Sequence, residues 1–387
     1  MKKLIVLLLC SIFILTGCTG NTTPVGTIPP VIPEIEHEHA PIPESDPIET
    51  EAAEPEDTAL LAVSVPAVTE RFLLEDGTEL YSYTAQHMQL ILPDAHIADR
   101  VILDFLNRVD AARKDAESVL IAAQNDYLPD IKWFPYFYQI LYSPTRIDHD
   151  ILSLFGTRNS YSGAMHGSLS CVAANYDLST GDVLTLGSIM HMDASKEDFI
   201  KIIIDKLGEY KEDYSLFDGY EDGVYSRLGG DENLYQDFFF TETGLSFFFA
   251  PYEIAPYASG IITVEIPYHE LPGLIYDGYF PAERELVQGS MHTGSFMSTD
   301  MEQFNNMAEV TLDTGKDIMV VYPDGKVEDI RIRIPDDGMN IPGYTVFAAL
   351  EMSGKNAVVI SLAPEDIEGI SVSYLSEGKT ETILLAE

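Results

Sequence analysis

The first eighteen residues constrain everything that follows them. Lys2 and Lys3 precede an apolar run from Leu4 to Leu15, and Leu15-Thr16-Gly17-Cys18 closes it. A charged start, an apolar centre and a small residue before cysteine form a secretory signal ending in a lipobox. The pattern predicts cleavage before Cys18, a diacylglycerol thioether on that cysteine, and a chain folding outside the membrane on a lipid anchor. Residues 1–17 are then a leader with no part in the fold. Cys10 departs with it and Cys18 carries lipid, so Cys171 alone remains of three cysteines. Such a chain has no disulfide framework and must be held by its apolar cores. Cys171, in the strand-like run Ser170–Ala174, reads as a small buried hydrophobe.

Removing 17 of 387 residues leaves 370, room for two ordinary domains and a linker. The formal charge is −41, and losing Lys2 and Lys3 makes it −43. A surface this acidic repels nucleic acid and offers anionic lipid no polybasic contact. Membrane attachment therefore falls to the lipid, and two acyl chains on one cysteine hold stably. The complementary partner is neutral or basic, such as a cationic protein met by steered association. No other stretch approaches the roughly 18 apolar residues of a membrane helix.

Residues 18–62 read as the lipidated cysteine and a linker. Positions 19–58 hold eight prolines and ten acidic residues but no Lys or Arg, so they cannot bury enough apolar surface to offset ordering. Proline stiffness and charge repulsion extend such a segment as a stalk. Glu36-His37-Glu38-His39 lies within it and reads as solvated linker rather than a metal site.

A first folded region is expected over 63–288. Glu79–Leu92 and Trp133–Tyr142 read as strands. Ile97, Val101, Phe105, Val109, Ala112, Ala116, Val119 and Ala123 recur at three and four, predicting a helix over 97–123. Ser195 and Asp198 have capping-box spacing before a second helix with Phe199, Ile202, Ile203 and Leu207 on its apolar stripe. Ser170–Asp177 and Val183–Leu186 read as strands around Ser179-Thr180-Gly181-Asp182, a turn by composition. Phe238–Phe240 and Leu245–Ala250 read as a hairpin, and Ile261–Pro267 as a further strand. Strands interrupted by two separate helices give an α+β domain with a mainly antiparallel sheet. Residues 281–298 read as a boundary. Over 299–387, seven short apolar runs separated by glycine or proline predict a small all-β, sandwich-like domain.

Two stretches of the first region carry a resemblance. One is Gly163-Ala164-Met165-His166-Gly167, then Asn175-Tyr176-Asp177-Leu178-Ser179-Thr180-Gly181 and Leu184-Thr185-Leu186. The other runs from Phe240-Thr241-Glu242-Thr243-Gly244-Leu245 through Pro251–Gly260 to Val264-Glu265-Ile266-Pro267-Tyr268. Together they resemble the extracellular domain shared by RsiV-type anti-sigma factors and the N-terminal region of PdaC-type peptidoglycan deacetylases. The resemblance covers about residues 66–280 and implies a non-catalytic module. In RsiV-type members that module binds lysozyme outside the cell and controls a sigma factor inside. This chain departs from both plans. It has no cytoplasmic segment or spanning helix for a sigma factor, and no His-x-x-x-His metal motif for deacetylation. The family's histidine–proline pair after Gly-Ala stands here as Met165-His166-Gly167.

Motifs for chemistry are sparse. There is no Gly-x-Ser-x-Gly elbow, and His269-Glu270 lacks the second histidine of a zinc protease. There is no Walker loop or dinucleotide fingerprint, and His166 near Ser168 does not make a triad. Asp218, Glu221 and Asp222 invite calcium, but Tyr220 and Gly229 break the EF-hand pattern and a solvated acidic loop is the simpler reading. No cofactor or metal is expected. Aromatic residues beside prolines stand out instead: Trp133 and Tyr136 in one loop, Tyr252, Glu253, Pro256 and Tyr257 in another. Proline-held rings bind with little ordering cost. With His166 these residues form the expected partner-binding set, and Cys18 the lipidation site. The sequence therefore reads as a non-enzymatic cell-surface lipoprotein binding lysozyme, another cationic protein or peptidoglycan. The alternatives are a wall hydrolase using a carboxylate pair and a docking module acting through the C-terminal β domain.

Overall fold

The computed structural model describes residues 60–230, 237–282, 286–295, 303–304, 306–312, 317–335, 343–362 and 369–385. Cys18, the stalk and its His-x-His lie outside the described residues. The fold is α+β with mainly antiparallel sheets, as the sequence predicts, and the described residues belong to one compact unit.

The first layer pair is a five-stranded sheet under one long helix. Its strands run β2 (Ala67–Leu73), β3 (Glu79–Gln86), β5 (Tyr136–Ile147), β6 (Ile151–Tyr161) and β7 (Ser168–Asp177) in that order. β3 and β5 are parallel, and α1 (Ala95–Asp126) makes the crossover that such a pair requires. Asp94 caps α1 by accepting from the His96 and Ile97 amides, at 2.9 and 3.4 Å. Ala98, Val101, Phe105, Val109, Ala112, Ala116, Val119 and Ala123 form its buried stripe. The four alanines let the helix approach tyrosines 81, 83, 138 and 142 on the sheet.

A second core lies around the three-stranded sheet β8 (Phe238–Phe240), β9 (Gly244–Phe249) and β10 (Ile262–Pro267), packed against α3 (Lys196–Glu209) and α4 (Tyr220–Leu228). The Ser195–Asp198 capping box is present, with the Ser195 amide 2.8 Å from Asp198. Two short helices were not expected. Val183–Leu186 gives only a single bridge at Val183 before α2 (Leu186–Ile189), because Thr185 and Ser188 cap each other there. The expected acidic loop is the start of α4, with Glu221 and Asp222 in the first turn, where the helix dipole favours carboxylates.

The C-terminal region is all β. β12 (Asn306–Thr311), β13 (Asp317–Ile334), β14 (Tyr344–Ser353), β15 (Asn356–Leu362), β16 (Ser371–Ser376) and β17 (Lys379–Leu384) join a nine-stranded, nearly closed sheet. Pro323-Asp324-Gly325, which separates two of the expected apolar runs, lies inside the continuous β13. Gly325 adopts φ +85°, so the strand bends there without ending. Its first half pairs with β11 (Gly289–Ser295) and β15, and its second half with β14 and β16.

Strand pairings run across the positions 62/63 and 288/299 at which the sequence suggests divisions. β1 (Ala62–Ser64) lies between β14 and β4 (Gln89–Ile91), so one end of the nine-stranded path is built from N-terminal residues. Leu60 and Ala62 belong to the C-terminal core, while Ala348 and Leu350 pack with α1. The expected boundary segment 281–298 contributes β11.

Polar side chains, some part-buried and some fully buried, join these layers. Arg331 donates to the Pro144 carbonyl at 2.8 Å and to Glu242 at 2.9 Å, tying β13 to the end of β5 and the β8–β9 turn. Ser153 and Asn175, both fully buried, connect the five-stranded sheet to β8. The Ser153 hydroxyl donates to Asn175 Oδ1 at 2.6 Å, the Asn175 amide donates to the Phe238 carbonyl at 2.8 Å, and the Phe240 amide donates back to Ser153 Oγ at 2.9 Å. Asn175→Ala strands the Phe238 carbonyl without a donor. The expected cost is about 2–3 kcal/mol, read from chemical denaturation, because an orphaned buried acceptor keeps its full desolvation penalty.

Candidate functional site

Two loops make the site. The β6–β7 connection, residues 162–167, carries His166, and the β9–β10 connection, residues 250–261, carries Tyr252 and Tyr257. The second loop is fixed from below. Ile254 and Ala255 are buried, the Ile254 carbonyl accepts from the Phe217 amide at 3.0 Å, and the Tyr252 amide donates to the Ala255 carbonyl at 2.9 Å. Pro256 sets the entry to a 3-10 turn over Tyr257–Ser259, and Ser259 Oγ donates to the Tyr214 carbonyl at 2.8 Å. Helix α4 backs directly onto the loop, so that a methyl at Gly223 would collide with the Glu253 carbonyl.

Glu253 faces inward. Its carboxylate accepts from the Ala250 amide at 2.8 Å and pairs with Arg227 at 3.0 Å. Arg227 also reaches Asp237 at 2.8 Å and lies over the Phe248 ring. Burial pushes the Asp237 carboxyl up, against the pull of the Arg227 charge. Of the expected binding residues, Glu253 therefore serves to hold the loop.

The rings face outward. His166 stacks on Tyr257 with centroids 4.3 Å apart, and its Nε2 lies 3.4 Å from the Tyr252 hydroxyl. Tyr252 and Tyr257 are 5.8 Å apart, closing a three-ring cluster. Tyr252 is 59% exposed, and the neighbouring Met165 is fully exposed. Tyr252 adopts φ +73°, a left-handed conformation in which a side chain costs of order 1 kcal/mol or more. A glycine would sit there freely.

Trp133 and Tyr136 form a separate cluster. Their rings stack at 4.8 Å, Trp133 Nε1 donates to the Leu80 carbonyl at 3.3 Å, and the Tyr136 hydroxyl donates to Asp126 at 3.0 Å. Tyr136 is buried and Trp133 half-buried, so they close the end of the α1 core. They touch the site indirectly. Tyr161 packs edge-on against Tyr136, and Gly163, at φ +85°, passes so close to the Tyr136 hydroxyl that a methyl would overlap it. The β6–β7 loop thus rests on Tyr136 at one side and meets the tyrosines at the other.

Sequence reasoning missed Gly223, Arg227, Ser153 and Asn175, which position the loops. Asn175 stands in the noted Asn-Tyr-Asp stretch, but its partner strand is 63 residues away and left no local signal. Cys171 is buried as expected, and burial pushes its thiol up to about 12. Asp218 pairs with Lys211 at 3.3 Å, and among the described residues no group of three or more His, Cys, Asp or Glu is placed to hold a metal ion. No described helix is long and apolar enough to cross a membrane.

Residues 189–269 match the family model described as "Protein of unknown function (DUF3298)". The matched span covers α3, α4, β8, β9 and β10 and includes Tyr252, Glu253, Pro256 and Tyr257. His166, Trp133 and Tyr136 lie outside the matched span. A member of the DUF3298 family from Bacteroides fragilis NCTC 9343 is 20% identical, over 58% of this chain and 96% of that one, with a TM-score of 0.41. A DUF3298 family protein from Pseudomonas aeruginosa PAO1 is 15% identical, over 59% and 99%, with a TM-score of 0.40. No curated protein matches the chain.

Two measurements check this geometry. Tyr252→Gly relieves the left-handed strain and is expected to raise stability by about 0.5–1 kcal/mol in denaturant unfolding. In a chain carrying Cys10→Ser and Cys18→Ser, Cys171 is expected to resist a thiol reagent at mildly alkaline pH and to react fully once unfolded.

Proposed function

We propose that this chain is a non-enzymatic, lipid-anchored protein of the cell exterior whose paired loops bind a basic protein. The observation that carries the reading is Tyr252: an exposed ring, kept on a strained backbone, in contact with His166 and Tyr257. Strain at a well-supported surface position points to selection for what the ring touches. Tyrosines on a fixed loop are efficient interface anchors, because little side-chain freedom is lost on binding.

The formal charge of −41 supports a cationic partner, drawn in by long-range attraction and then held by ring contacts. The resemblance of residues 163–268 to the RsiV-type extracellular module makes lysozyme the first partner to test. The lipobox at Cys18 supports attachment through lipid, with the stalk giving the binding loops reach.

The test is calorimetry of the Cys18→Ser chain against a c-type lysozyme at low and moderate salt, with cytochrome c as an equally basic control. Binding that survives moderate salt and weakens at least tenfold on joint Tyr252→Gly and Tyr257→Ala substitution is expected. Heat that vanishes with salt, or equals that of the control, would reduce the interaction to charge attraction and overturn the reading.

A further inference from the structure

A second surface lies on the C-terminal β region, away from the paired loops in sequence and in sheet. β11 and β13 form an antiparallel ribbon in which His292 opposes Tyr322 and Ser290 opposes Asp324. Side chains alternate between faces, so these four share one face of the ribbon. The other face is committed to the core, since Met291 and Val321 are buried there. On the shared face His292 and Tyr322 rings lie 5.7 Å apart, and Phe304 packs on Tyr322 at 5.6 Å. Ser290 Oγ and His292 Nε2 are 3.1 Å apart, which fixes the imidazole.

These rings floor an open cleft of about 510 Å³, with Gln303, Asp324 and Lys355 among its lining. Lys355 comes from the β14–β15 turn, where Gly354 adopts φ +56°. Pro323 and Gly354 complete the lining around the rings.

The geometry points to a glycan-binding site that takes a pyranose ring of a polysaccharide chain. Three features select that class. The C–H face of a pyranose is apolar and flat, and Tyr322 with its neighbours offers a matching aromatic surface. Its hydroxyls ring the edge, and the carboxylate of Asp324, the amide of Gln303 and the ammonium of Lys355 in the cleft lining are groups that can meet them. The cleft is open rather than enclosed, so a ring within a polymer can enter without its chain being cut. The presence of both signs of charge argues against a strongly anionic or cationic ligand. The site is independent of the protein-binding loops, since no residue is shared between them.

The test uses the full chain carrying Cys18→Ser, titrated with chitotetraose and with cellotetraose and followed by calorimetry and by tyrosine fluorescence. Saturable binding of at least one tetraose is expected, weakened about tenfold by Tyr322→Ala and several-fold by Asp324→Asn, and unchanged by Tyr252→Gly. Thermal melting confirms that each variant is folded, and if Tyr322→Ala does not fold, the exposed His292→Ala carries the same expectation. Failure of both tetraoses to bind at millimolar concentration would overturn the proposal. Binding that persists in the Tyr322 and His292 variants would overturn it too. Loss on Tyr252→Gly alone would move the glycan to the paired loops and equally overturn this site.

Discussion

The hydrogen-bonded seam of Ser153 and Asn175 is the interaction on which the arrangement of the candidate site depends. β6 and β7 belong to one sheet, and β8 and β9 to another. Side-chain packing between sheets tolerates sliding, because apolar contact has no direction. Two hydrogen bonds between these buried side chains and the backbone of β8, braced by a third between the side chains themselves, do not tolerate it. The loop bearing His166 extends from the first sheet, and the loop bearing Tyr252 and Tyr257 from the second. Their rings meet because the seam fixes one sheet against the other.

Below the rings, the β9–β10 loop is held from several directions. Gly223 admits α4 to the loop backbone, Arg227 holds Glu253, and Ile254 plugs the second core. Such support is what allows a left-handed tyrosine to persist. The energy stored at Tyr252 is small beside the apolar burial around it, where each large side chain contributes about 1.5–3 kcal/mol. Rigid support and an exposed, strained tip divide the loop into a part that stabilises and a part that displays.

Much of the fold was legible in the sequence where its signal was local. The three-and-four repeat from Val101 to Ala123 and the Ser195–Asp198 box became α1 and the start of α3, because each carries its periodicity and cap within a few residues. The expected strand over Ile261–Pro267 likewise became β10. What was not legible depends on distant partners. Pro323-Asp324-Gly325 has turn composition, yet pairing with β11 keeps it in the ladder. Glu221 and Asp222 looked like a solvated loop because their acidity masks a helix start. Of the site, Tyr252, Tyr257 and His166 came together as one cluster. Trp133 and Tyr136 have the same proline-flanked composition, but the end of α1 covers them, and composition alone does not distinguish an exposed ring from a capping one.

The short strand β1 gives the chain a mechanical character. It is flanked on one edge by β14 and on the other by β4, with further backbone bonds from Val65 to Val346 and from Leu350 to Leu61. In antiparallel pairs the bonds run across the strands. Tension entering from the N-terminal side of Leu60 therefore acts along β1 and loads bonds on both edges together, in shear. A strand at the rim, pulled from its end outward, would open one bond at a time. The point where the chain enters β1 is built as a clamp, able to transmit a pull into the sheet without peeling it.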